Sequence, residues 1–469
     1  MLPSGPDDTA PRCKVDLFCL VSQIATGGLS MLIAFSVANF RAIREEQRML
    51  FTRAGGGHRS RLDLDAPTPG GVTPVLALYG ANASGKSTVL EALYWMRHMV
   101  RDSARWEAGS SVPIQPFHFD EPDDERPMSF EVQIRLGDSE YRYGFEALAD
   151  RFTAEWLYQT PLDATRKVER RLFERRTSED GVTTVDATSY LKGRKSAIID
   201  ATRADSLFLS RAAQENFAAL LPVYAWFRSR LGPGIAGADN QPLRIRQTRE
   251  LVEGSEAGRR AVERLLLAAD LGIRGIAEAD DPAHEVPEGF VQMITSADVF
   301  SGEAQARDFV ENNRRPRLLH QVDGRPPVPF AWDDESAGTQ ELFALAGPVV
   351  EALAAGSVLA VDEIESSMHP LLVRAVVELF QSVESNPYGA QLLFSTHDTT
   401  LLGDFAGLGY VLDRDQIWFV EKSRHGQIEL IPLTDYKPRG SSDLERQYLQ
   451  GRYGAVPLLS TSLFEGRER

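Results

Sequence analysis

The chain contains 469 residues, of which 43% are hydrophobic and 25% are charged, as is typical of a folded globular protein. At about 150 residues per domain, this length predicts about three domains, or one large domain with an insertion. The formal net charge of −16 opposes autonomous binding to nucleic acid, because phosphate contacts require clustered Lys and Arg. The composition therefore excludes disordered, collagen-like and integral-membrane classes, and nucleic acid is a possible partner that the charge does not indicate.

Cysteine content and hydropathy predict a cytoplasmic protein without a membrane anchor. Cys13 and Cys19 are too few for a disulfide framework and lack the partners of a zinc site. Two apolar stretches, 15–35 and 342–361, are interrupted by polar residues or by Pro348. We therefore expect a reducing compartment and no membrane segment.

The start of the chain differs in character from the rest of it. Residues 1–30 are punctuated by Pro and Gly, whereas Met31 opens an alternating pattern typical of a strand. We expect residues 1–30 to be a disordered leader, or the product of a mis-assigned start codon with Met31 as the natural start. Sequencing the native N terminus tests the second interpretation, and finding Met1 or Leu2 there would reject it.

The pattern of the first part of the chain predicts an α/β domain. The predicted elements are a strand from Met31, a glycine-rich connector over 54–71, a strand over 75–79, a helix over 87–100 and a hairpin over 128–146. The order strand, glycine-rich turn, helix is typical of a phosphate-binding unit. We expect 31–187 to form the N-terminal half of the domain, with an antiparallel β-lobe.

The remainder of the chain predicts a helical insertion followed by a return to α/β structure. Apolar stripes at helical spacing predict that 188–330 is a mainly helical insertion. The elements predicted beyond it are helices over 339–355 and 370–384, strands over 358–361 and 391–395, and a hairpin over 416–433. Because strands and helices alternate there, 331–469 is expected to complete a parallel sheet as the C-terminal half of the domain.

A phosphate-binding P-loop is the strongest motif. Its residues are Gly80-Ala81-Asn82-Ala83-Ser84-Gly85-Lys86-Ser87. The glycines allow backbone N–H groups to face phosphates, and the helix N terminus adds positive potential. We expect Lys86 to reach the β- and γ-phosphates and Ser87 to ligate Mg²⁺. The expected phosphate and nucleotide contacts are Gly80, Asn82, Ala83, Ser84, Gly85, Lys86, Ser87 and Thr88.

Two further strands end in polar residues. The apolar strand 358–361 is followed by Asp362 and Glu363, which predicts a metal-binding acid and a carboxylate that polarises the attacking water. The alternative is a purely structural role, in which the strand leaves the core through a polar turn. The strand 391–395 leads to His397, which could hydrogen-bond the γ-phosphate or the water; taken alone, it would more often be a surface or capping residue.

Together these motifs carry a resemblance. The order of P-loop, Ser336-Ala337-Gly338-Thr339-Gln340, acidic strand and His397 resembles ABC-type ATPases of the SMC/RecF kind, and the segment Glu365-Ser366-Ser367-Met368-His369-Pro370 looks like their D-loop region. More narrowly, the segments Asn39-Phe40-Arg41, Leu207-Phe208-Leu209-Ser210, 415–421 and 452–457 resemble the RloA/AbiL group of AAA-family ATPases. That group is often associated with restriction loci and phage defence. The resemblance covers about 31–457.

The resemblance implies an ATPase that works as a dimer. Two heads would sandwich ATP and Mg²⁺, and the partner head would present Ser336 and Gly338 to the γ-phosphate. Lys86, Glu363 and His397 would be catalytic, with Ser87 and Asp362 at the metal. It further implies an ABC/SMC-head-like fold and, through nucleotide-linked opening and closing, control of a separately encoded effector. Gln115 is a candidate for the Q-loop glutamine, and Arg41 for a residue that approaches the nucleotide.

Three other functions are open at this stage. Asp413-Arg414-Asp415 suggests an OLD-type nuclease, although too few residues follow His397 for a complete Toprim domain. A sensor that clamps ATP without turnover would have no need of Glu363. A transporter ATPase fits the single site and the helical insertion poorly.

Overall fold

The computed structural model describes residues 30–53, 71–119, 125–162, 168–269, 272–277, 314–321, 325–404, 407–436 and 444–455. They form two compact units. The P-loop unit draws its described residues from 29–235, 360–363 and 391–469, and the helical unit draws its own from 236–359 and 364–390. The predicted leader, apart from Ser30, lies outside the described residues, as do both cysteines.

An antiparallel sheet of seven strands makes up the larger part of the P-loop unit. Its strands are β1 (Ser30–Ala38), β2 (Gln47–Leu50), β4 (Met128–Leu136), β5 (Ser139–Ala147), β6 (Phe152–Pro161), β7 (Arg170–Thr177) and β8 (Thr183–Ala187). They lie in the order β2-β1-β4-β5-β6-β7-β8. The hairpin predicted over 128–146 is confirmed, and Gly137 occupies its turn with a φ of 55°.

A second sheet carries the P-loop. It contains β3 (Val75–Tyr79), β9 (Leu231–Ala236), β13 (Val358–Val361), β14 (Gln391–Thr396), β15 (Ile417–Lys422) and β16 (Ile428–Pro432). The order is β16-β15-β3-β14-β13-β9, and β3 runs parallel to both β14 and β15. All five residues of β3 are buried, as expected for a parallel strand covered on both faces.

Helices cover the sheets of the P-loop unit. They are α1 (Lys86–Asp102), α2 (Ser196–Asp200), α3 (Phe208–Gln214), α4 (Leu221–Ala225), which continues as a π-helix over Trp226–Arg230, and α9 (Leu444–Leu449). Trp95 of α1 stacks on Phe130 of the antiparallel sheet, with ring centroids 4.7 Å apart. Phe40 meets the edge of Phe130 at 5.7 Å, so this aromatic cluster fixes α1 against the sheet.

One buried side chain connects the two sheets of the P-loop unit. Gln391, at the start of β14, is 1% exposed. Its Oε1 accepts a hydrogen bond from the Leu32 N–H at 2.6 Å, and its Nε2 donates to the Leu32 carbonyl at 2.9 Å and to the Thr73 carbonyl at 3.3 Å. The pairing of β1 shifts between Leu32 and Ala34, so Gln391 bonds the backbone of β1 at an irregularity.

The helical unit packs helices beside a small sheet. Its elements are α5 (Gln241–Gly254), α6 (Glu256–Ala268), α7 (Ala337–Ala355), α8 (Pro370–Gln381), β10 (Ile273–Ile276), β11 (Leu318–His320) and β12 (Val328–Phe330). Gly347 of α7 lets Thr248 of α5 approach closely, and its N–H donates to Thr248 Oγ1 at 3.0 Å. Arg244 and Glu341 form a buried ion pair at 2.7 Å between these helices.

The fold is α/β, with a mixed P-loop sheet and an antiparallel lobe, as predicted. The helix expected over 339–355 begins two residues earlier, because Ser336 caps it. The segment 188–330 contains β9 to β12 as well as helices. Its assignment as an insertion, and the boundaries at 187/188 and 330/331, stay predictions. Among the described residues, no helix combines the length and apolar character needed to cross a membrane.

Candidate functional site

The P-loop sheet brings three of the predicted motifs to one edge. Tyr79 at the end of β3 pairs in parallel with Thr396 at the end of β14, so the P-loop and His397 leave the sheet side by side. β13 is the other neighbour of β14, and Asp362 follows its last residue. The carboxyl ends of such strands are where open α/β sheets bind their ligands.

The P-loop backbone is shaped for close approach of a ligand. Ala83 and Gly85 have φ values of 61° and 105°, in the left-handed region. A Cβ added to Gly80 would lie 2.5 Å from both Ser84 Oγ and the Val420 carbonyl oxygen. The buried Ser84 hydroxyl has no hydrogen-bond partner among the described residues. A cradle closed to side chains, with an unsatisfied hydroxyl in it, fits a phosphate-bearing ligand.

Lys86 is the buried cation of this site, with an exposure of 6%. Its Nζ donates to the carbonyl oxygens of Gly80 at 2.9 Å and Ala81 at 3.2 Å. It also lies 2.9 Å from Nε2 of His397. The lysine is therefore folded back over the P-loop, with its ammonium among acceptors that a phosphate could replace.

The two acids that follow β13 are linked through the hydroxyl of Ser395, one by its carboxylate and the other by its backbone N–H. Ser395 Oγ donates to Asp362 Oδ1 and accepts the Glu363 N–H at 2.8 Å. Glu363 has a φ of 50°, which a non-glycine residue adopts at some cost. Its side chain is exposed, whereas Asp362 is half-buried. The two carboxylates therefore differ in exposure, and their two roles stay predictions.

A pocket gathers most of the predicted residues. It is lined by Ala42, Asn82, Ala83, Gly85, Lys86, Ser87, Thr88, Glu363, His397 and Lys422. Gly80, Ser84 and Asp362 are not among the lining residues. The described residues contain no group of three or more His, Cys, Asp or Glu that could hold a metal. Ser87 and Asp362 nevertheless fit Mg²⁺, which commonly takes one or two protein ligands and completes its shell with substrate phosphates and water.

Arg41 and Gln115 form their own cluster beside the P-loop helix. Arg41 Nε donates to Gln115 Oε1, its Nη1 donates to Glu91 Oε2, and its backbone N–H donates to the Gln115 carbonyl at 2.8 Å. Burial lowers the pKa of the Arg41 guanidinium. Neither Arg41 nor Gln115 lines the pocket, whereas Ala42 does.

The signature-like segment belongs to the helical unit. The exposed Ser336 caps α7, and its Oγ accepts the Thr339 N–H at 3.1 Å. A Cβ on Gly338 would lie 2.7 Å from the Ser367 carbonyl oxygen, so the signature-like and D-loop-like segments touch. Ser367 itself has a φ of 58°.

The acids proposed for a nuclease site have a structural role. Asp413 and Gln416 form a capping box around a 3-10 turn at Arg414–Gln416, where the sequence predicted the beginning of a strand. The Asp413 N–H donates to Gln416 Oε1 at 2.7 Å. Asp415 is 8% exposed.

Sequence reasoning missed two residues of the site. Ser395, which connects Asp362 and Glu363, was visible only as a polar residue near the end of a predicted strand. Lys422 lies at the end of β15, and its signal was the position of that strand beside β3 in the sheet. The position of β15 beside β3 depends on how the chain crosses over between strands, and the apolar pattern of the sequence does not predict that crossover.

These features define a P-loop nucleotide-binding protein, with a glycine-rich cradle, a buried lysine and an acidic strand at one sheet edge. The chain belongs to the family described as "AAA domain, putative AbiEii toxin, Type IV TA system", which matches residues 75–403. No curated protein matches the chain.

Solved structures of low sequence identity also match. The SMC head domain from Thermotoga maritima is 13% identical, covers 86% of this chain and 98% of its own, and has a TM-score of 0.37. The SMC head bound to the C-terminal winged-helix domain of ScpA is 13% identical, with coverages of 86% and 99% and a TM-score of 0.38. The SMC head with coiled coil and joint derived from Pyrococcus yayanosii is 12% identical, with coverages of 91% and 100% and a TM-score of 0.34.

Proposed function

We propose that this chain binds and hydrolyses ATP as an ATPase of the SMC/RecF kind. The observation that carries the proposal is the convergence of Lys86, the Asp362–Ser395–Glu363 linkage and His397 around one pocket. Phosphoryl transfer depends mainly on positioning and charge stabilisation, which such a constellation supplies.

The residues divide into binding and reacting groups. The P-loop backbone and Lys86 hold the phosphates, and Ser87 with Asp362 holds Mg²⁺. When bound, Mg²⁺ neutralises charge on the phosphate oxygens. Glu363 orients the attacking water and accepts its proton. His397, released from Lys86, accepts a hydrogen bond from the water through Nε2, or donates one to the γ-phosphate when Nε2 is protonated.

The proposed active assembly is a homodimer. Two heads sandwich ATP, and Ser336 and Gly338 of one head face the nucleotide held by the other. The support is that Ser336 is exposed at the N terminus of the 19-residue helix α7, where a polar group can meet an anion. Hydrolysis would then open the dimer.

The biological setting proposed is cytoplasmic phage defence, of the RloA/AbiL type. Nucleotide-linked opening and closing would control a separately encoded effector, and the predicted insertion over 188–330 would be its docking surface. The description of the family, with its toxin and toxin–antitoxin system, supports a defence role.

Phosphate release by the purified full chain with ATP and Mg²⁺ tests the proposal. Glu363→Gln should retain ATP while turnover falls at least about a hundredfold, because the water loses its base. Lys86→Ala should lose nucleotide binding. Lys192→Ala and Glu179→Gln, which remove exposed charges outside the pocket, are matched controls. Unchanged turnover in Glu363→Gln would reject its assigned role.

Sizing the protein in solution tests the dimer. Glu363→Gln with ATP should accumulate closed dimers, whereas ADP or no nucleotide should leave them apart. A monomer under all three conditions would reject the sandwich and leave the ATPase proposal standing.

Two alternative functions give different results. An OLD-type nuclease would cleave DNA or tRNA with a divalent metal, and Asp413→Ala would abolish the cleavage; the capping role of Asp413 weighs against this. A clamping sensor would bind ATP without turnover, and its Glu363→Gln variant would behave as the wild type.

A further inference from the structure

We infer that Lys422 is a second cationic contact for the phosphates of the bound nucleotide, and that the ring of Phe119 positions it. The inference rests on the proposed function, because it concerns the same pocket. It assigns a binding role to a strand end outside every motif on which that proposal depends.

The sheet register brings Lys422 to the level of the P-loop. β15 runs parallel to β3, with Phe419 opposite Tyr79. Three residues beyond this pair, the polypeptide following β3 reaches Asn82, and β15 ends at Lys422. Both residues line the pocket that also contains Lys86. Lys422 therefore approaches the cradle from the side of β15, away from the acids of β13.

The environment of Lys422 leaves its ammonium group available. Among the described residues it makes neither an ion pair nor a hydrogen bond, and its Nζ lies 4.8 Å from the ring centroid of Phe119. Lys86, in contrast, is engaged by two carbonyl oxygens and His397. In a chain with a net charge of −16, a second cation at this pocket favours a polyanionic ligand.

Phe119 has the geometry of a support for that cation. Its ring is 57% exposed, so one face is open to the ammonium group of Lys422. It packs against Phe117 at 5.6 Å, and a Cβ on Gly426 would lie 2.6 Å from its Cδ2. The β15–β16 hairpin thus provides both the lysine and the space for the ring. The electron-rich face of the ring holds an ammonium group without neutralising it.

Equilibrium binding of ATP and of inorganic tripolyphosphate, each with Mg²⁺, tests the inference on the full chain. Lys422→Met should weaken both ligands about five- to tenfold, because one charge-assisted contact is lost. The salt dependence of the dissociation constant should also become shallower. Lys422→Arg should restore binding. Phe119→Leu should weaken both ligands about two- to fourfold, and should have no effect in the Lys422→Met background, since the ring acts through the lysine.

Matched controls separate this contact from general surface charge. Arg424→Met removes an exposed cation from the same hairpin without touching the pocket. Tyr190→Leu removes another exposed ring that carries a cation, Arg170, at 5.2 Å. Both should bind as the wild type does.

Each remaining outcome decides the inference. Lys422→Met binding within twofold of the wild type would overturn it while the ATPase proposal stands. Weaker ATP binding with unchanged tripolyphosphate binding would overturn the phosphate assignment in favour of a ribose or base contact. A wild-type chain that binds neither ligand would overturn the proposed function and this inference together.

Discussion

Nζ of Lys86 lies 2.9 Å from Nε2 of His397. An ammonium group can only donate, so Nε2 is the acceptor of this hydrogen bond. The cation that would hold the phosphates and the histidine that would sense them are therefore joined by one hydrogen bond. Binding must exchange this hydrogen bond for contacts to phosphate, which frees Nε2 toward the pocket.

His397→Ala should slow turnover more than it weakens ATP binding. The lysine keeps its two carbonyl acceptors, so we expect the dissociation constant to change less than about threefold while turnover falls at least about tenfold. His397→Gln, which retains an acceptor, should be intermediate, and the exposed His425→Ala is the control. Equal losses in binding and turnover would show that His397 only supports the lysine.

Ser395→Ala should remove the link between the Asp362 carboxylate and the backbone N–H of Glu363. The substitution removes a hydrogen bond to a carboxylate and leaves the Glu363 N–H without its acceptor, so the free energy of unfolding should fall by about 2 kcal/mol. Turnover should fall as well, because the left-handed backbone of Glu363 loses its anchor. Urea unfolding and phosphate release measure the two effects. Ser178→Ala, at a hairpin turn where the Oγ lies 3.5 Å from the Val182 carbonyl oxygen, is the control.

Gly85→Ala should lower the free energy of unfolding by more than backbone strain alone would. Gly85 has a φ of 105°, and a Cβ there would overlap Cδ1 of Ile428. Gly181 has a φ of 76° with nothing within 4 Å, so Gly181→Ala isolates the strain at about 1–2 kcal/mol. Ile428→Ala should relieve part of the additional loss in the double variant. Identical unfolding free energies for the two glycine variants would contradict this.

Glu429→Gln should stabilise the protein in a pH-dependent manner. Burial, and then the charge of Glu429 directly across the strand pair, raise the pKa of Glu421 above its ordinary value of 4.5. Folding therefore disfavours the ionised form, so stability present below pH 4.5 is lost as the pH rises through the raised pKa. The variant should gain about 0.2–1 kcal/mol above this window and little below it. Thermal unfolding across pH 4–7 measures the gain, with Glu179→Gln as the charge control; a gain independent of pH would contradict it.

Local sequence patterns predicted the P-loop sheet better than its surroundings. The strand ending at Tyr79, the strand before Asp362 and the strand before His397 each carry a signal of their own, since an apolar run ends in polar residues. Their meeting at one edge follows from parallel connections. Ser395 could not be assigned its role in this way, because its partners lie more than 30 residues away and depend on strand order.

Secondary-structure boundaries failed where side chains bond the backbone. The hairpin expected from Gln416 begins one residue later, at Ile417, because Asp413 and Gln416 close a capping box. Lys422 was unpredictable for a different reason: its place beside the P-loop depends on β15 returning to the far side of β3. The 188–330 boundaries depend on packing, which apolar periodicity does not determine.

The amide of Gln391 has a consequence for movement within the P-loop unit. Because it bonds both the N–H and the carbonyl of Leu32, sliding one sheet past the other by a single residue would break two buried hydrogen bonds at once. The same strand ends at Ser395 and Thr396, just before His397. The amide therefore fixes the position of β14 relative to β1 at one end of the strand whose other end leads to His397.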